Sequence, residues 1–154
     1  MAEPAKQVKK KIEDKGLSIG AQHLSTERIE KVINRVLKGE AGARLKAYVD
    51  TCIHCGLCSD ACHYYLSHDK DPRYSPVGKV KQTLWKMLKK KGKVDAEFIK
   101  KSSEIASTEC NACKRCAMYC PFGIDIAYLM LTVRRICHLL GVTPLYIQDT
   151  AHSH

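Results

Sequence analysis

Apolar residues recur every three or four positions along most of this chain and alternate over no useful length. Ile29, Val32, Ile33, Val36 and Leu37 make one stripe, which predicts a helix capped at its start by Ser25 and ended by Gly39. A shorter helical continuation through Leu45, Tyr48 and Val49 delivers the chain to Cys52. Residues 67–75 are rich in turn formers, with Asp71-Pro72 and Ser75-Pro76 as breakers. Ser75 is a good N-cap and Pro76 suits a first helical position, so a helix is expected there, stopped by Gly92. Its apolar face is Val77, Val80, Leu84, Met87 and Leu88, with Trp85 at the margin. Lys79, Lys81, Lys86, Lys89, Lys90 and Lys91 take much of the remainder. Asp95 caps a further helix that turns Phe98, Ile99 and Ile105 inward before Cys110. Residues 124–140 are apolar on most sides and predict a buried helix ended by Gly141 and Pro144. The fold class expected is therefore all-α. Residues 1–22 mix Lys with scattered Glu and Gly and read as a mobile or partner-bound arm without a fold of its own. The organisation expected is a basic arm over 1–24, a helical domain over 25–141 and a tail over 142–154.

A length of 154 residues with 45% hydrophobic content suits one compact domain. The first residues lack the apolar core of a secretion signal. The run 124–140 is interrupted by Asp125, Arg134, Arg135 and His138, and falls short of the roughly 20 apolar residues of a membrane span. These features point to the cytoplasm, or to a peripheral position on the cytoplasmic face of a membrane, where thiols stay reduced or bind metal. A net charge of +10 favours an acidic partner, without choosing among nucleic acid, anionic lipid and an acidic redox protein. Nucleic acid is not expected, because no docking motif is present and the basic residues are not interleaved with stacking aromatics. No paired acid and base, nucleophile arrangement or phosphate-binding glycine loop appears, so neither a catalytic site nor a small-molecule substrate of its own is expected.

The cysteines carry the chemistry. Cys52, Cys55, Cys58 and Cys62 form one C-x2-C-x2-C-x3-C run, and Cys110, Cys113, Cys116 and Cys120 form a second. Three cysteines at intervals of three can wrap a loop around a 4Fe-4S cubane, and Gly56 suits the tight path by accepting a positive φ. The fourth starts a helix and faces away. In two-cluster ferredoxins that fourth cysteine ligates the other cluster. The expected sets are Cys52, Cys55, Cys58 with Cys120, and Cys110, Cys113, Cys116 with Cys62. Zinc is the competing reading of C-x2-C, but it leaves the third and fourth cysteines superfluous. Lys114 and Arg115 lie inside the second loop, so the cluster there is expected to have the higher potential. Cys137 stands apart and reads as a small buried hydrophobe. The lysines between 86 and 101 read equally as a solvated helix face or as a docking patch for an acidic partner.

The two runs, the long helical insert between them and the helix after Cys120-Pro121 resemble the helical dicluster ferredoxin module of the C-type iron–sulfur proteins of heterodisulfide reductase. Similar modules occur in the iron–sulfur subunits of succinate dehydrogenase and of membrane redox complexes in sulfate-reducing bacteria. The resemblance covers about residues 25–140 and rests on the eight cysteines. It implies two 4Fe-4S clusters, helical hairpins around them, and an electron-relay role among the other redox subunits of an anaerobic respiratory complex, with room among those partners for one embedded in a membrane. The family's first run commonly ends Cys-Pro, whereas this chain has Cys62-His63. His63 reads as a surface histidine at a helix start in preference to a hydrogen-bond donor to a cluster sulfur. Members of the sulfate-reducer type often continue into a cysteine-rich catalytic domain, so this chain, ending at His154, is expected to be a separate subunit or a fragment.

Overall fold

The structure, a computed structural model, describes residues 14–152, and among these there is no strand. In chain order the helices are α1 (Lys15–Gln22), α2 (Thr26–Leu37), α3 (Glu40–Thr51), α4 (Leu57–Asp60), α5 (His63–Ser67), a 3-10 turn over Pro72–Tyr74, α6 (Pro76–Gln82), α7 (Leu84–Lys89), α8 (Ala96–Thr108), α9 (Arg115–Met118), α10 (Ile126–Leu139) and α11 (Leu145–His152).

The caps follow the residue chemistry. Ser25 accepts from the Arg28 N–H, Ser75 from Gly78, Asp95 from Phe98 and Asp125 from Tyr128, each satisfying a donor that the first helical turn leaves without a backbone partner. α10 is the central element. Ile126, Leu129, Met130, Val133, Ile136, Cys137 and Leu140 are all buried at helical spacing, against α8 and, less extensively, α6, α2 and α7. Ile29, Ile33, Leu84, Met87 and Ile99 close the core from those neighbours. Each such side chain contributes about 1.5–3 kcal/mol on leaving water.

Four features depart from the reading of the sequence. The helix expected from Pro76 to Gly92 is two helices, because Thr83 sits at φ −118°, ψ −95° and its buried hydroxyl donates 2.7 Å to the Lys79 carbonyl, competing with the helical ladder. α3 is no short continuation but matches α2 in length. Within the stretch expected to be an arm, residues 1–13 lie outside the described residues, whereas Lys15–Gln22 is helical with Leu17 buried. Gly16 and Gly20, which look like breakers in the sequence, lie four apart on one face. A Cβ on Gly16 would come within 2.8 Å of the Thr143 carbonyl and Leu145 N–H, and one on Gly20 would run into the Gly141 carbonyl. Glycine is needed there for close approach of backbones. Finally, the expected tail contains α11, whose first N–H donates to the Asp14 carboxylate at 3.1 and 3.3 Å.

Candidate cluster-binding site

The two cysteine runs fold alike although their intervening residues differ. The residues before and after the second cysteine are left-handed in both, His54 (φ 59°) and Gly56 (φ 88°) in the first, Ala112 (φ 55°) and Lys114 (φ 62°) in the second. Hydrogen bonds then repeat at the same offsets. Ser59 N–H donates to Gly56 and Cys62 N–H to Ser59, as Ala117 donates to Lys114 and Cys120 to Ala117. Single left-handed residues set among right-handed ones turn successive N–H groups inward into a concave nest that favours anions. In the second loop the Ala112 N–H already donates to Cys110 Sγ at 3.4 Å. Of these four positions, the sequence announces only the glycine.

Each run places its cysteines on different elements. Cys52 ends α3, Cys58 lies in α4 and Cys62 precedes α5. Cys110 follows α8, Cys116 lies in α9, and Cys120 enters the turn at Pro121 and Phe122. Cys62 therefore starts a helix as expected, but Cys120 does not, because α10 begins only at Ile126. Cys55 and Cys113 are exposed at the loop tips.

Two cavities result. One, of about 310 Å³, is lined by Cys52, Cys55, Cys58 and Cys120, with Ile53, Val77, Phe122 and Ile124 as apolar walls. The other, of about 390 Å³, is lined by Cys110, Cys113, Cys116 and Cys62, together with Tyr64 and Lys79. Each brings together three cysteines of one run and the last of the other. Ile126 lines both, so the cavities are neighbours across one side chain. Among the described residues, no three His, Cys, Asp or Glu side chains converge on a point that would hold a single metal ion. Thiols spread around a cavity, with inward N–H groups and apolar walls, are the donor set of a many-atom cluster; tetrahedral zinc needs its sulfurs about 2.3 Å from one point.

Burial raises the Cys58 thiol and pushes Cys116 up to about 12, with Cys110 and Cys58 adding to the effect at Cys116. Such thiols keep their protons until iron replaces them. Cys137 is also pushed up to about 12 by burial, donates weakly to the Ile99 carbonyl at 3.9 Å, and lines neither cavity.

Two further side chains at the site escape the sequence reading. Arg134 of α10 donates through Nε to the Ala106 carbonyl at 2.7 Å and through Nη2 to the Cys110 carbonyl, so it holds the end of α8 where the second run begins. Lys79, by its charge a member of the polar face of its helix, is only 2% exposed. The signal is present in the spacing: 76, 79, 80 and 83 are the buried helical positions, and Lys79 occupies one of them. Lys114, the cation singled out in the loop, is exposed and 3.9 Å from Asp125. His63 is exposed and its ring lies 4.4 Å from that of Tyr64.

Residues 48–124 match the 4Fe-4S dicluster domain family. Two curated relatives are similar in sequence. The Hdr-like menaquinol oxidoreductase iron-sulfur subunit 2 of Archaeoglobus fulgidus is 28% identical over 120 residues, covering 70% of this chain and 21% of that protein. The Hdr-like menaquinol oxidoreductase iron-sulfur subunit of Archaeoglobus profundus is 29% identical over 121 residues, with the same coverage of each. The chain thus spans about a fifth of the length of these relatives. No solved structure matches.

Proposed function

We propose that this chain, which belongs to the 4Fe-4S dicluster domain family, is the part of a larger oxidoreductase that relays single electrons between a donor and an acceptor subunit. The chain is an electron-transfer iron–sulfur protein with two 4Fe-4S clusters, and each cluster when bound supplies a one-electron couple. Its assignment to a complex of the Hdr-like menaquinol oxidoreductase type rests on the names of the two relatives. One observation carries the relay reading: the two four-cysteine cavities adjoin each other through Ile126. On this reading Cys52, Cys55, Cys58 and Cys120 hold one cluster, while Cys110, Cys113, Cys116 and Cys62 hold the other.

The surface around the first cavity supports docking of a further redox subunit. Ile53 and Phe122 line that cavity, Leu57 lies in α4 with Cys58, and Met118 and Tyr119 end α9 just before Cys120; all five are large apolar side chains between 46% and 84% exposed. Apolar side chains on that scale are the usual core of a protein interface. No helix among the described residues is long and apolar enough to cross a membrane. In the proposed complex, contact with the membrane is made by a partner subunit, with this chain on the cytoplasmic side.

The test is ligand replacement in anaerobically reconstituted protein. Iron and sulfide content and electron paramagnetic resonance are read for Cys62→Ser and Cys120→Ser. Cys62→Ser is expected to alter the cluster of Cys110, Cys113 and Cys116, and Cys120→Ser the cluster of Cys52, Cys55 and Cys58. If each substitution disables only the cluster of its own run, the crossed arrangement is wrong.

A further inference from the structure

Lys79 projects from α6 into the second cavity. Its Nζ donates to the Glu109 carbonyl, lies 3.8 Å from Cys62 Sγ and sits 4.6 Å from the centre of the Tyr64 ring. Among the described residues no carboxylate stands within ion-pair distance of it. A buried ammonium that lacks a counter-charge is strongly disfavoured, and a carbonyl dipole with an aromatic face offsets only part of that cost. The missing negative charge is supplied on the same wall of the cavity, by the Cys62 thiolate and the cluster it would help to hold. The first cavity is lined by apolar side chains and His54, without a lysine or arginine.

We propose that Lys79 is a positioning residue for charge, which raises the reduction potential of the cluster held by Cys62, Cys110, Cys113 and Cys116 above that of its neighbour. The inference rests on the cluster reading above and adds a direction to it. On reduction that cluster gains one electron and one negative charge. A fixed cation in a poorly screened cavity stabilises the more negative reduced form more than the oxidised one. Lys114 and Arg115 also line this cavity but are exposed, Lys114 beside Asp125, and are too well screened to have the same effect. Electrons therefore collect on the second cluster, and the first acts as the port that refills or drains it.

The experiment is a redox titration of the reconstituted protein, following each cluster by electron paramagnetic resonance. The signals are assigned with the Cys62→Ser variant. Lys79→Gln removes the charge but keeps an N–H donor for the Glu109 carbonyl. Lys79→Arg restores the charge, and Lys86→Met, at an exposed site on α7, is the control. Iron and sulfide content is measured for every variant, so that loss of a cluster is distinguished from a changed potential. In Lys79→Gln the second cluster is expected to show at least a tenfold lower ratio of reduced to oxidised form at fixed potential. For a one-electron couple this is about a 59 mV fall. The first cluster, Lys79→Arg and Lys86→Met should stay close to wild type. Equal shifts of both clusters, or none, overturn the proposal. So does wild-type protein in which the Cys62-dependent cluster has the lower potential, a result that stands even if Lys79→Gln fails to load.

Discussion

The left-handed residues of the two loops allow the strain of the site to be measured one position at a time. Lys114 at φ 62° carries a side chain in a conformation that costs an L-residue about 1–2 kcal/mol. Replacement by glycine removes that cost but adds about 0.5–1 kcal/mol of chain entropy to be lost on folding. Lys114→Gly should therefore stabilise the loop by about 0.5–1 kcal/mol. The reverse holds at the equivalent position of the first loop. A Cβ on Gly56 would meet nothing within 4 Å, so Gly56→Ala carries only the conformational penalty and should destabilise by a similar amount. Because cluster loss makes unfolding irreversible, the suitable readout is the rate of cluster bleaching in denaturant. Where loop opening limits bleaching, these energies correspond to rates about two- to fivefold slower for Lys114→Gly and faster for Gly56→Ala. Lys114→Ala, which removes the charge but keeps the left-handed side chain, should bleach like wild type. If Lys114→Ala is slowed as much as Lys114→Gly, the effect belongs to charge and the strain argument fails.

Gly20→Ala, whose methyl would run into the Gly141 carbonyl, should lower thermal stability by about 1–3 kcal/mol, measured by circular dichroism. Asp14→Ala, which removes the cap of α1 and the acceptor of the Leu145 N–H, should cost about 1 kcal/mol in the same assay. Burial holds the Cys137 thiol near 12, against about 8.5 when unfolded. It should therefore resist alkylation at mildly alkaline pH in the folded protein and react once denaturant is added, as mass spectrometry would show. Lys89, Lys90 and Lys91 are exposed at the end of α7, and changing all three to Glu should slow electron exchange with an acidic redox partner while leaving iron content unaltered. Equal rates at low salt would make them an ordinary solvated face.

What could be read from the sequence was whatever depends on local spacing. The Ser25, Ser75 and Asp95 caps, the apolar stripes of α2 and α10, and the two runs of four cysteines are each defined within a few residues. The misses depended on what lies across the fold. Gly16 and Gly20 lower helix propensity locally, and only the backbone at 141–145 explains why they are needed. Lys79 counts as polar in any periodicity, so its charge outweighs its place among buried positions until the cavity is seen. Ala112 and Lys114 have no residue preference for a positive φ that would announce it, and the enrichment of histidine there is too weak a signal to mark His54; two loops closing around similar cavities impose it.

The Asp14 carboxylate caps α1 and also accepts from the first N–H of α11, so the stretch from 14 to 145 is closed on itself at one point. A segment whose ends meet can be spliced into a longer polypeptide with little disturbance to either, since the host chain enters and leaves at adjacent places. That property suits a unit matching about a fifth of each of its relatives. It also makes the segment a candidate for circular permutation. Linking residues 14 and 145 and reopening the chain in the exposed turn after α5 would reverse the order of the two cysteine runs, yet leave each cavity with the same four thiols.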